Sequence, residues 1–124
     1  MDDAEHVRRL DALAARIDSA AEHVFTAAER LSREVDEARA REVDDYGDAT
    51  RVTSRTSWRW RRLDKLDGYA DAMTESVLAW TRRANDLHAA RPAGRWRRWR
   101  QRRRLLSIAR QFERGAARLG AVHP

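Results

Sequence analysis

The chain has 124 residues, 42% of them hydrophobic, with a formal net charge of +6 and no cysteine. This length fits one small domain, and the missing cysteine excludes a disulfide framework, a thiolate metal site and a cysteine nucleophile. No apolar run exceeds four residues, which excludes a transmembrane helix of roughly 20; the acidic start, Met1-Asp2-Asp3-Ala4-Glu5, lacks the basic and apolar regions of a secretory signal, and a cytoplasmic location is expected.

The first element is one long helix over about Asp3 to Asp45. Its apolar residues Val7, Leu10, Ala14, Ile17, Ala21, Val24, Ala28, Leu31, Val35 and Ala38 alternate in steps of three and four. That spacing is a heptad seam, on a helix about 60 Å long. Gly47 follows as a turn residue. The second helix is expected over about residues 56–90, with Thr56 or Ser57 as N-cap and Val52 and Ala49 continuing its register backwards. Its seam is Leu63, Leu66, Ala70, Met73, Val77, Trp80, Ala84 and Leu87. It ends by Arg91, because the residue before Pro92 is pushed out of helical geometry. The third helix runs over about residues 95–119 along Leu105, Ile108, Phe112, Gly115, Leu119 and Val122, with Ala109 and Ala116 beside the seam. The tail after Gly120 is expected to fray. No segment alternates as a strand does.

Three amphipathic helices with short connections predict an all-α fold, an antiparallel three-helix bundle with a long N-terminal helix. The alternative is a long helical hairpin that dimerises, with the third helix docked separately. The chain contains 22 alanines, so its core is thin, and a second copy or a partner helix would suit it.

Charge is unevenly spread. Residues 1–46 carry a net −6, residues 47–90 a net +2 and residues 91–124 a net +10. In the antiparallel bundle, Glu34, Asp36, Glu37, Glu42, Asp44 and Asp45 face Arg55, Arg59, Arg61, Arg62 and Lys65. Asp67, Asp71 and Glu75 of the second helix are expected opposite Arg118, Arg114 and Arg110 of the third. The excess charge then gathers at one pole, where the turn between the second and third helices meets the N-terminus. Arginines in a first helical turn oppose the helix dipole, so an anionic partner would relieve that pole.

The candidate site is the run Arg95-Trp96-Arg97-Arg98-Trp99-Arg100-Gln101-Arg102-Arg103-Arg104. The nine arginines and tryptophans, Arg95, Trp96, Arg97, Arg98, Trp99, Arg100, Arg102, Arg103 and Arg104, are the expected nucleic-acid-binding residues. Guanidinium forks match phosphate oxygens, and tryptophan stacks on an unpaired base or sits at a lipid interface. At about 100° per residue, Leu105, Ile108, Phe112 and Leu119 lie within about 60°, and Trp96, Trp99 and Leu106 point to the other side. Trp60 lies about 120° and Trp58 about 80° from the second seam, leaving Trp80 alone on it. The competing expectation makes the off-seam tryptophans caps on the open end of the bundle, with arginine stems over their rings. With 25 arginines, one lysine and 22 alanines, the composition also looks like a G+C-rich coding bias, of bacterial, phage or plasmid origin. That bias explains the choice of arginine over lysine but not the clustering.

Catalytic patterns are missing. His6, His23, His88 and His123 form no zinc motif and have no serine partner. Asp64, Asp67 and Asp71, or Asp44, Asp45 and Asp48, lack the spacing of a calcium loop. A non-enzyme without metal or cofactor is expected. Its leading function is binding nucleic acid through phosphate contacts. The alternatives are a coiled-coil interaction protein that joins a second copy or a partner helix, and a peripheral binder of anionic membrane surfaces.

Overall fold

The structure is a computed structural model describing residues 2–46 and 54–124, with side chains over residues 2–42 and 58–124. Three helices run antiparallel in chain order: α1 (Asp3–Tyr46), α2 (Ser54–Ala89) and α3 (Arg95–Gly120). All three contribute to one buried core, so the bundle closes within a single chain. Both neighbours pack mainly on α1, and the α2–α3 contact is the thinnest. Gly47, Asp48, Ala49 and Val52 lie outside the described residues. So do the side chains of Asp44, Asp45, Arg55, Thr56 and Ser57.

The seams are where the spacing puts them. Leu10, Ile17, Ala21, Val24, Ala28, Leu31 and Val35 of α1 are buried, as are Leu63, Ala70, Val77 and Ala84 of α2 and Leu105, Ile108, Phe112 and Leu119 of α3. Val7, Ala14, Ala38, Leu66, Met73, Trp80, Leu87 and Val122 are half-buried at the edges. Ala20 and Ala109 are fully drawn in. Both belong to the core cluster from positions beside the seam.

Helix ends are secured in three ways. Asp2 precedes α1 and accepts the Glu5 backbone N–H at 2.7 Å, a local N-cap. Gly94 enters α3 at φ 92°, a backbone state that glycine alone adopts without strain, and it offers no side chain to cap the helix. The carbonyl ends of α2 and α3 are capped from other helices. Gln101 of α3 donates to the Leu87 and Ala90 carbonyls at 2.6 and 2.9 Å. Arg30 of α1 donates to the Leu119 and Val122 carbonyls at 2.8 and 3.1 Å and pairs with Glu34 at 2.6 Å. The tail after Gly120 is therefore tied down rather than frayed: the Val122 N–H returns to Leu119, and His123 meets Arg30 and Glu34.

Cross-helix charge pairs follow the topology in part. Arg59 reaches Glu42 at 3.3 Å, as the hairpin register requires. The polarity also runs the other way, with Arg39 of α1 between Asp64 and Asp67 of α2. Asp67 additionally accepts from Ser32, so it faces α1 and not Arg118. Among the described residues no salt bridge joins Asp67, Asp71 or Glu75 to α3. The acid of α3, Glu113, instead takes a two-pronged contact from Arg16 at 2.9 and 2.6 Å.

Gly115 is buried on α3 beside Met73 of α2. A Cβ there would stand 2.6 Å from Cε of Met73, the free end of a flexible side chain. Gly115→Ala gains about 1 kcal/mol of helix propensity while Met73 swings aside, so thermal melting should show a change of less than about 1 kcal/mol. Gly115→Leu should cost roughly 1–3 kcal/mol by overpacking.

The Arg16 hydrogen bonds hold the Glu113 carboxyl below its usual range, against a smaller opposing effect of burial. Arg30, with a lesser contribution from His123, does the same for Glu34. A depressed folded-state pKa contributes stability that is complete above the unfolded carboxyl value of about 4.3 and is lost as pH falls through the folded value. The melting temperatures of the wild type and Arg16→Ala should therefore differ slightly at neutral pH and converge in the acid range below about pH 4. The gap is small because both partners face water.

Candidate nucleic-acid interface

The sequence of α3 divides its ten arginines between two faces. Its buried stripe holds Gln101, Leu105, Ile108, Ala109, Phe112, Gly115 and Leu119. Arg98 and Arg102 flank that stripe on the α1 side and are half-buried. Arg98 pairs with Asp3 at 2.5 Å and donates to the Pro92 carbonyl at 3.4 Å. Arg102 donates to Nδ1 of His6 at 2.7 Å. These two of the nine candidate residues are tied by polar contacts to groups outside α3.

Their engagement belongs to a polar network that sequence reasoning did not find. His6 is 4% exposed, as is Gln101. Arg102 has only donors, so Nδ1 of His6 accepts and Nε2–H donates to Oε1 of Gln101 at 3.0 Å. The Gln101 amide then spends both N–H groups on the end of α2. One side chain thereby joins all three helices beneath the basic run. Nothing in the local pattern marks His6 or Gln101, which lie 95 residues apart. The polar Gln101 at a seam-adjacent position was the one available hint. Gln101→Leu preserves volume but strands the His6 donor and two carbonyls. It should destabilise the fold by about 1–3 kcal/mol, read as a lower unfolding midpoint with an unchanged far-ultraviolet helix signal below the transition.

The other face is open. Arg95, Trp96, Arg97, Trp99, Arg100, Arg103 and Arg104 are all exposed. Trp96 is 66% and Trp99 44% exposed; they are not end caps buried under a turn. Their rings stack on each other at 5.0 Å and 22°, and the Arg103 guanidinium lies over Trp99 at 5.7 Å. Trp58 is also exposed, at 64%. The half-buried Trp60 has Arg39 over its ring, and Trp80 has Arg83.

The positive surface is longer than the run that announced it. Steps of four residues advance by about 40° around a helix, so Arg110, Arg114 and Arg118 wind from the α1 side across the outer face of α3. All three are exposed, and none forms a salt bridge among the described residues. With Trp99, Arg100, Arg103, Arg104 and Ser107, residues Arg110 and Arg114 border one open groove along that face. From Arg100 to Arg118 the row spans about 27 Å at 1.5 Å per residue. The excess charge is densest at the pole, where Arg95 to Arg104 meet the N-terminus of α1, and it continues from there along α3 through Arg110, Arg114 and Arg118. The pole is itself partly neutralised, by Asp3 on Arg98, by Glu5 on Arg9 at 3.1 Å and by Asp11 beside His88 at 2.8 Å.

Among the described residues, no group of three His, Asp or Glu side chains is placed to hold a metal ion, and no helix is long and apolar enough to cross a membrane. No protein-family model, curated protein or solved structure matches the chain.

Proposed function

We propose that the chain binds nucleic acid, chiefly through phosphate contacts to the outer face of α3, and performs no catalysis. The observation that carries this reading is the row of exposed arginines Arg100, Arg103, Arg104, Arg110, Arg114 and Arg118, none of which forms a salt bridge among the described residues. Ten like charges on one helix, with Glu113 as the lone acid and already held by Arg16, repel one another. A polyanion laid along the stripe offsets that repulsion and releases its own counterions. Guanidinium groups suit the role because their planar donors match phosphate oxygens. The sequence carries no helix-turn-helix or zinc-finger pattern, which favours sequence-independent affinity.

Two other readings have less support. Self-association through the heptad seams needs those seams open, and they are spent in the chain's own core. A membrane surface asks for a broad apolar face, whereas the outer face of α3 offers a tryptophan pair surrounded by arginine.

The test is binding of short duplex DNA at several salt concentrations, compared between the wild type and Arg100→Ala/Arg110→Ala/Arg114→Ala. The wild type should show a steep log–log salt dependence of about 0.7–0.9 per phosphate contacted. The triple variant should lose roughly tenfold or more in affinity at low salt, and its slope should fall by about 2–3. Unchanged affinity and slope in the triple variant would refute the reading.

A further inference from the structure

Trp96, Trp99 and Arg103 occupy successive turns of α3 and form a column. Trp99 is covered by Trp96 at 5.0 Å and by Arg103 at 5.7 Å. Trp96 is the end member. It is 66% exposed, and its one ring or guanidinium contact among the described residues is Trp99. Its remaining indole surface is flat, open and fixed in orientation by the ring stacked behind it. The helix that carries it is anchored through Gln101 and Leu105 on its opposite, buried face. Arg95, Arg97 and Arg100 are its neighbours along the helix; all three are exposed, and none forms a salt bridge among the described residues.

A flat apolar surface beside these cations fits a flat π-system attached to a polyanion. An unpaired nucleobase has both properties. A base inside a duplex has its faces covered by its neighbours and must be unstacked before it can reach an indole. Every base has a π-face, so stacking of this kind tolerates any sequence. We propose that the open face of Trp96 is a stacking platform for an unpaired nucleobase, which makes single-stranded nucleic acid the preferred ligand of the α3 stripe. This rests on the nucleic-acid reading above and narrows it to a substrate class. Phosphates on the arginine row supply the general affinity, and the base on Trp96 supplies the discrimination.

The experiment uses the full chain and four probes: oligothymidylate, the matching oligouridylate, an abasic oligodeoxynucleotide of equal length, and a dumbbell duplex whose two ends are closed by base-free linkers. Affinity is measured by anisotropy of a label on the probe, and stacking by quenching of tryptophan fluorescence. The base-bearing strands should bind roughly 5- to 150-fold more tightly than the abasic strand, with quenching that the abasic strand and dumbbell do not produce. Trp96→Ala should remove most of that advantage while leaving abasic and dumbbell affinity, salt slope and helix content unchanged. Trp96→Phe should keep part of it. The stronger of the two base-bearing probes identifies DNA or RNA as the source of the base, and the Trp96→Ala loss must appear with that probe. Equal affinity for abasic and base-bearing strands overturns the platform and leaves phosphate binding standing, as does a Trp96→Ala loss shared by every probe. Failure of all four probes to bind overturns the nucleic-acid reading itself.

Discussion

The fold depends on α1 serving as the common wall for two helices that touch each other little. Its apolar stripe must be wide enough for α2 on one side and α3 on the other, and alanine makes that possible. Ala20, Ala21 and Ala28 are buried and let the backbones come close where a larger residue would hold them apart. The cost is a core with little apolar area per residue, because each methyl group contributes far less than a leucine. Polar links from α1 and α3 make up part of the difference. Gln101 and Arg30 reach across to the open carbonyl ends of α2 and α3, where donors are both needed and favoured by the helix dipole.

This division of labour also decides what α3 can show to solvent. A helix in a three-helix bundle buries one stripe and leaves the rest of its circumference exposed. In α3 the buried stripe takes the leucines, Ile108 and Phe112. The two arginines at its α1 edge find Asp3 and His6. Further round, arginine and tryptophan predominate, with Leu106, Ser107, Gln111 and Ala117 between them, and among the described residues no acid pairs with these outer arginines. The outer face is charged because the core geometry of α3 leaves it without such a pair.

Fold and site differ in how far the sequence reveals them. The three-four spacing predicts every helix to within about two residues, since burial of one face is a local periodic signal. The same helical phase placed Trp96 and Trp99 away from the core, and their exposure agrees. Pairings between helices escape that logic. Whether Asp67 meets Arg118 or Arg39 depends on a rotation of α2 that shifts its carboxylate from one neighbour to the other. Periodicity fixes such rotations only to within tens of degrees. Arg39 takes Asp64 and Asp67, and Arg110, Arg114 and Arg118 are left over. The basic run at residues 95–104 drew attention because it is dense. The arginines that extend it are diluted by the core residues between them, so the stripe becomes visible only when α3 is viewed along one face.

The density of the run and its arrangement carry different information. A coding bias toward arginine raises the count everywhere, on α1 and α2 as well as α3. On α1 it yields arginines with acids within reach, as at Arg9, Arg16, Arg30 and Arg39. Of the α3 arginines, Arg98 alone forms a salt bridge among the described residues, and those of the outer face form none. Composition alone has no reason to deplete acids from one helix and to set two indoles face to face on its solvent side. Exposed indole surface is unfavourable in water, and stacking Trp99 behind Trp96 hides only part of it. Trp99 borders Ala12 and Leu13 of α1 with Leu106, whereas Trp96 extends the pair outward at the head of the arginine row, and it is this outward member on which the proposed binding of a flat, anionic partner rests.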